Sequence, residues 1–175
     1  MCNYWEIPRS EAEISAKFPL PGNFLVGGAV TYTRTKVTRS AAGVSARPGE
    51  ELLHTPKSMD SLYVQYQLKL HGDAGVGVRA EYQYHGANLR QFQPTQGITY
   101  PDGTMGTIPD ATQVQSAYHV FNASAYWSHA RTRYRLFVDN VTDAAPYLDF
   151  RRVPGFSAAT TLRPRTIGIG IDTMF

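Results

Sequence analysis

The chain has 175 residues, with 17 Lys or Arg against 14 Asp or Glu (net charge +3) and one cysteine, Cys2. That length suits one domain; the scattered charge offers no basic patch to nucleic acid, and one cysteine excludes an internal disulfide framework. No window approaches the roughly 20 apolar residues of a membrane helix, while 11 Tyr, 8 Phe, 15 Gly and 11 Pro favour strands and turns. The opening MCNYWEIPRSEAE lacks a basic region followed by an apolar one, so it does not read as a secretory signal peptide. Residues 1–10 read as irregular, and residues 11–175 as one β-rich unit.

Apolar residues then recur with period 2, the mark of a strand with two unlike faces. Residues 11–18 put Ala12, Ile14, Ala16 and Phe18 on one side and Glu11, Glu13, Ser15 and Lys17 on the other. PLPGN (19–23) is a turn, and residues 24–36 set Phe24, Val26, Gly28, Val30 and Tyr32 against Leu25, Gly27, Ala29, Thr31 and Thr33. After a loop rich in Gly, Ser and Pro, residues 60–71 set Leu62, Val64, Tyr66, Leu68 and Leu70 against Tyr63, Gln65, Gln67, Lys69 and His71. A short turn at 72–75 leads to residues 76–86, where Val76, Val78, Ala80, Tyr82 and Tyr84 oppose Gly77, Arg79, Glu81, Gln83 and His85.

Residues 87–115 show no helical period and read as a long loop. The phase of 117–128 is ambiguous; Phe121, Ala123, Ala125 and Trp127 are favoured as its apolar side. The turn HART is short, residues 132–140 place Tyr134, Leu136 and Val138 opposite Arg133, Arg135, Phe137 and Asp139, and a further loop leads to residues 164–175. There Ile167, Ile169, Ile171, Thr173 and Phe175 face away from Thr166, Gly168, Gly170, Asp172 and Met174.

Connections alternate short and long through the chain, and the strands exceed the usual length of about 5–6 residues. Outer-membrane barrels have this pattern, with short turns at one end, long loops at the other, and strands of about 10 residues spanning the bilayer at a tilt. The only Lys or Arg on an apolar side is Arg34, and every other strand charge is assigned to the opposite side. Phe18, Phe24, Trp127 and Phe175 near the short turns, and Tyr32, Tyr82 and Tyr84 near the long loops, read as two aromatic girdles. The expected fold is therefore all-β: antiparallel, up-and-down strands of a transmembrane barrel. The other reading is a soluble β-sandwich binding a ligand or carbohydrate, which requires the apolar sides to bury one another.

Nothing points to catalysis, a metal or a cofactor. His54, His71, His85, His119 and His129 lack metal-ligand spacing, and the paired glycines of GVGVRAEY and GIGIDTMF open no helix that would hold a phosphate. Asn122-Ala-Ser and Asn140-Val-Thr match a glycosylation acceptor by chance. Arg79, Glu81, Gln83, Arg135 and Asp139 lie on the wet side, and Arg90, Tyr100 and Arg151, in the long loops, are unranked candidates for contacting a ligand.

From about residue 11 to Phe175 the chain resembles the C-terminal end of a TonB-dependent receptor, an outer-membrane importer. FVDNVTDAAPY (137–147) is similar to the family's penultimate strand and its Asn-Leu-x-Asp…Tyr loop, with Val141 in place of leucine. RPRTIGIGIDTMF (163–175) is similar to its last strand, LLHTPKS (52–58) to the lead into a descending strand, and EYQYHGANL (81–89) to the strand rising after it. The resemblance implies about seven C-terminal strands of a barrel of roughly 22, used to import a scarce nutrient such as an iron–siderophore complex. It also implies that Ile167, Ile169, Ile171 and Phe175 are read by the barrel-assembly machinery, with Thr173 a departure from the usual residue there. Arg79, Glu81, Gln83, Arg135 and Asp139 then become candidates for touching the plug domain, through which the TonB system supplies energy. Signal peptide, plug and the other strands have no counterpart in the sequence, so a truncated gene, a fragmentary gene model or an excised segment is expected. Seven strands, an odd number, do not close antiparallel on themselves.

Overall fold

The computed structural model describes residues 8–39, 46–91, 95–109, 113–153 and 156–173. In chain order the strands are β1 (Arg9–Leu20), β2 (Phe24–Thr35), β3 (Ser58–Lys69), β4 (Ala74–His85), β5 (Asn88–Leu89), β6 (Thr95–Thr99), β7 (Met105–Pro109), β8 (Val114–Gln115), β9 (Tyr118–His129), β10 (Thr132–Asp139), β11 (Tyr147–Val153), β12 (Phe156–Thr161) and β13 (Thr166–Thr173). Seven of them form one antiparallel sheet in the order β1-β2-β3-β4-β9-β10-β13, an up-and-down meander that does not close. These seven are the alternating segments of the sequence. β1 starts at Arg9, inside the stretch read as irregular, and β3 stops at Lys69, leaving Leu70 and His71 in the turn.

Residues opposite one another on paired strands share a face, so the register settles what periodicity alone left open. Phe18, Val26, Val64, Ala80, Ala123, Val138 and Ile167 stand in one row across all seven strands. The next row toward the short turns is Leu20, Phe24, Tyr66, Val78, Ala125, Leu136 and Ile169. The favoured phase of the fifth segment is therefore the observed one. One assignment fails. Asp60 pairs with Val30 and Tyr84 and so lies on the apolar side, although the sequence pattern sent every strand charge but Arg34 to the other. It stands near the long-connection end, where Ser58 Oγ donates to its Oδ1 at 2.8 Å and gives the carboxylate a local partner.

Short turns join β1–β2, β3–β4 and β9–β10 at one end. Each needs left-handed backbone: Gly22 (φ 78°) and Asn23 (φ 66°), Gly72 (φ 67°) and Ala130 (φ 50°). The three long connections leave from the opposite end, and two of them, β4–β9 and β10–β13, are more ordered than a plain loop. β5 pairs with β8, β6 with β7, and β11 with β12. In the β6–β7 hairpin Asp102 Oδ1 accepts from the backbone N–H of Thr104 at 2.9 Å and from its hydroxyl at 2.6 Å, an Asx-type turn that the PDG string encodes.

The sheet has no apolar core. Among the described residues only Val37 and Ala46 are buried and apolar, and neither lies in the seven-stranded sheet. Ile14, Phe18, Ile167, Ile169 and Ile171 are 61–77% exposed. The total accessible surface is 12447 Å², whereas a compact chain of this mass exposes about 8500 Å². A soluble sandwich needs the apolar rows stacked on one another; among the described residues they are uncovered, which removes that reading.

Candidate functional site: the polar face

The polar face is built from a repeated three-part unit. In each, a glycine lies directly opposite an aromatic residue on the neighbouring strand: Gly27 opposite Tyr63, Gly77 opposite Tyr126, Gly168 opposite Phe137. The ring lies down over the glycine. A Cβ at Gly27 would sit 2.6 Å from the Tyr63 hydroxyl oxygen, and Cβ atoms at Gly77 and Gly168 would strike the Tyr126 and Phe137 rings. Only glycine allows so close an approach.

An arginine then stacks on each ring. The Arg79 guanidinium is 4.0 Å from the Tyr63 centroid, that of Arg133 4.8 Å from Tyr126, and that of Arg135 5.0 Å from Phe137. Each such cation–π contact contributes about 0.5–1 kcal/mol where exposed. The result is a low wall whose cations lie flat rather than project. The three arginines differ in what else they touch. Arg79 donates to Glu81 and to Gln65 Oε1, the latter at 3.1 Å. Arg133 and Arg135 have no ion-pair partner among the described residues.

The structure thus joins two of the residues singled out in the sequence, Arg79 and Glu81, into one pair. Gln83 lies further toward the long connections, opposite Ser61 and Val120, and Asp139 ends β10 opposite Thr166. Arg135 is on the same face with β9 between it and β4, so the five share a face without forming one cluster. Ile167, Ile169 and Ile171 line the apolar side, in register with Val138, Leu136 and Tyr134; Phe175 lies outside the described residues. Sequence reasoning missed Tyr63, Tyr126 and Arg133 as members of the wall's repeating unit. Alternation put all three on the polar side, but only the register shows which glycine faces which ring.

A second constellation fastens the 140–165 connection. Asn140 is buried with φ 52°, in the left-handed region that Asn tolerates. Its backbone N–H donates to Asn122 Oδ1 at 2.9 Å, its Nδ2 donates to the carbonyls of Ala144 (2.9 Å) and Arg163 (3.0 Å), and its Oδ1 accepts from the Ala144 N–H (2.9 Å). Asp143 Oδ1 accepts from the Arg165 N–H at 2.8 Å, one residue before β13 begins. The DNVTD string and the Arg-Pro-Arg-Thr string are thus two halves of one clasp.

At the long-connection end a cavity of about 470 Å³ lies between two connections, lined by Arg90, Val114, Ser116, Pro146, Tyr147 and Phe150 among others. Arg90 is buried and donates to the Tyr147 carbonyl, so it ties one connection to the other. Tyr100 covers Gly106 within the β6–β7 hairpin, and the Arg151 side chain lies outside the described residues.

No protein-family model matches the chain, and no curated protein matches it by sequence. Solved structures do match its fold. The ferric yersiniabactin uptake receptor FyuA from Yersinia pestis aligns over 98% of this chain and 24% of its own, with 17% identity and a TM-score of 0.72. The ferripyoverdine receptor of the outer membrane of Pseudomonas aeruginosa, bound to ferripyoverdine, aligns over 97% of this chain and 20% of its own, with 16% identity and a TM-score of 0.62. FpvA of P. aeruginosa bound to heterologous pyoverdines gives 95%, 19%, 17% and 0.59. The chain spans about a quarter of the first and a fifth of the others. Its fold is that of a sector of the antiparallel β-barrel of TonB-dependent receptors, unclosed here.

Proposed function

We propose that the chain is a stretch of barrel wall, the C-terminal one, from an outer-membrane TonB-dependent receptor that imports a scarce nutrient such as an iron–siderophore complex. The observation that carries this is the uncovered apolar side of the seven-stranded sheet, in register from Phe18 to Ile167. Lipid is the solvent in which such a side costs nothing. The two unpaired sheet edges point the same way, because backbone groups left unsatisfied in lipid cost several kcal/mol each and the remaining barrel strands would pair them. Fold likeness to uptake receptors for ferric yersiniabactin and ferripyoverdine supports the substrate class.

On this reading the polar face is the lumen wall. Arg79, Glu81, Gln83, Arg135 and Asp139 then meet the plug domain, and the TonB system acts through that plug. Ile167, Ile169, Ile171 and Phe175 present the last strand to the barrel-assembly machinery. The protein is not an enzyme, resides in the outer membrane, and this stretch alone transports nothing. The test is expression of the chain followed by fractionation with and without detergent. Extraction only by detergent, with strand content retained in micelles, is expected. A soluble monomer with a cooperative melt in plain buffer, or ligand-specific uptake by the chain alone, overturns it.

A further inference from the structure

We infer that Arg133 and Arg135 form a carboxylate-binding site on the polar face, and that its occupant is an extended acidic polypeptide segment lying near the short-turn end. The inference rests on the reading of that face as the lumen wall. Three arginines each lie over a ring, Arg79 and Arg133 from the strand next to the ring's own and Arg135 from the same strand, yet only Arg79 has its fork filled from within the sheet, by Glu81 and Gln65. The forks of Arg133 and Arg135 are held flat by Tyr126 and Phe137 and have no acidic partner among the described residues. A planar guanidinium whose orientation is already fixed matches a carboxylate with two parallel N–H···O bonds and loses little freedom in doing so.

The surroundings suit a chain more than a free anion. Arg133 and Arg135 are two residues apart on β10 and share a face, which separates them by about 6.5–7 Å. An extended segment with acids at alternate positions has that repeat. Beside Arg133 lies a cavity of about 400 Å³ lined by Gln67, Lys69, Tyr126 and Ser128, with Gly75 keeping its floor low. Lys69 stands in the same row as Arg133, adding a third cation. Asp73 lines that cavity too, and Asp172 stands opposite Arg133 in register with no ion pair between the two.

The test uses the full chain in detergent micelles and a fluorescein-labelled Glu-Ser-Glu-Ser-Glu peptide, read by anisotropy at 0.15 M salt, with strand content followed by circular dichroism. Wild type is expected to bind. Arg133→Lys and Arg135→Lys keep the charge but lose the stacked fork, and each should weaken binding about tenfold. Tyr126→Leu, which removes a platform and no charge, should weaken it similarly. Arg131→Gln in the adjacent turn should leave it unchanged. The inference is overturned by lysine variants that bind like wild type, by a loss in Arg131→Gln as large as in Arg133→Gln, by citrate displacing the peptide at equal concentration, or by no binding in a folded wild type. A chain that requires detergent yet ignores the peptide loses this inference and keeps the barrel-wall reading.

Discussion

Asn140 shows how much one residue can hold. It combines a left-handed φ with three side-chain hydrogen bonds and one from its own N–H. A left-handed alanine costs about 1–2 kcal/mol and each lost hydrogen bond about 1 kcal/mol. Asn140→Gly should therefore destabilise by about 1–3 kcal/mol and Asn140→Ala by about 2–5 kcal/mol. Urea unfolding in micelles separates the two; equal losses would mean that backbone conformation plays no part. Gly77→Val makes a complementary case, because its side chain meets the Tyr126 ring. Lifting that ring also frees Arg133, and overpacking of this kind costs about 1–3 kcal/mol. The string around Asn140 was legible in the sequence as a resemblance, but its cause was not. The carbonyl it holds belongs to Arg163, brought near only when β13 joins the sheet.

At the level of the strand, alternation carried most of the fold because each strand has one side of each kind. The seven long segments, the phases of six of them and the alternation of short and long connections follow from it, while the phase of 117–128 needed the register with β4 and β10. What it did not carry was the pairing inside the long connections, where β5, β8, β11 and β12 are too short or too polar for a period to register. Neighbouring positions on β3 test the two sides against each other. Val64→Lys, on the apolar side, should cost about 2–4 kcal/mol in a bilayer. Ser61→Lys, on the polar side, should stay within about 0.5 kcal/mol. Unfolding from lipid vesicles measures both, and equal costs would contradict the assignment of sides. In the β6–β7 hairpin, hydrogen bonds from the Thr104 hydroxyl and N–H hold the Asp102 carboxyl below its usual range. A lowered folded value means that the stabilisation is present above the ordinary carboxylate range and lost as pH falls through the lowered one. Protection of the Thr104 amide from exchange, taken relative to a free peptide at the same pH, should accordingly be present near neutrality and fall away below the ordinary carboxylate range, while Asp102→Asn abolishes that pH dependence.

For the molecule as a whole the decisive quantity is surface. About 4000 Å² more is exposed than compactness allows for this mass, and it is enriched in the isoleucines of β13 and the apolar rows beside them. Composition could not reveal this, since the apolar content is ordinary; the register of seven strands was needed to show that the apolar residues assemble on one side. Trp127 stands on that side one row from the short turns, stacked on Tyr134 with ring centroids 5.4 Å apart. In a Trp5→Phe background, vesicles of lipids brominated along their acyl chains should quench its emission strongly, and a water-soluble quencher weakly. The reverse order would place this side in water. The clasp at Asn140 and Asp143 has its own consequence at this scale. It seals the excursion that carries β11 and β12 at its foot, so that segments between Ala145 and Leu162 can lengthen, shrink or be exchanged while the staves on either side stay aligned. What the long-connection end displays is thereby free to diversify at little cost to how the sheet is built.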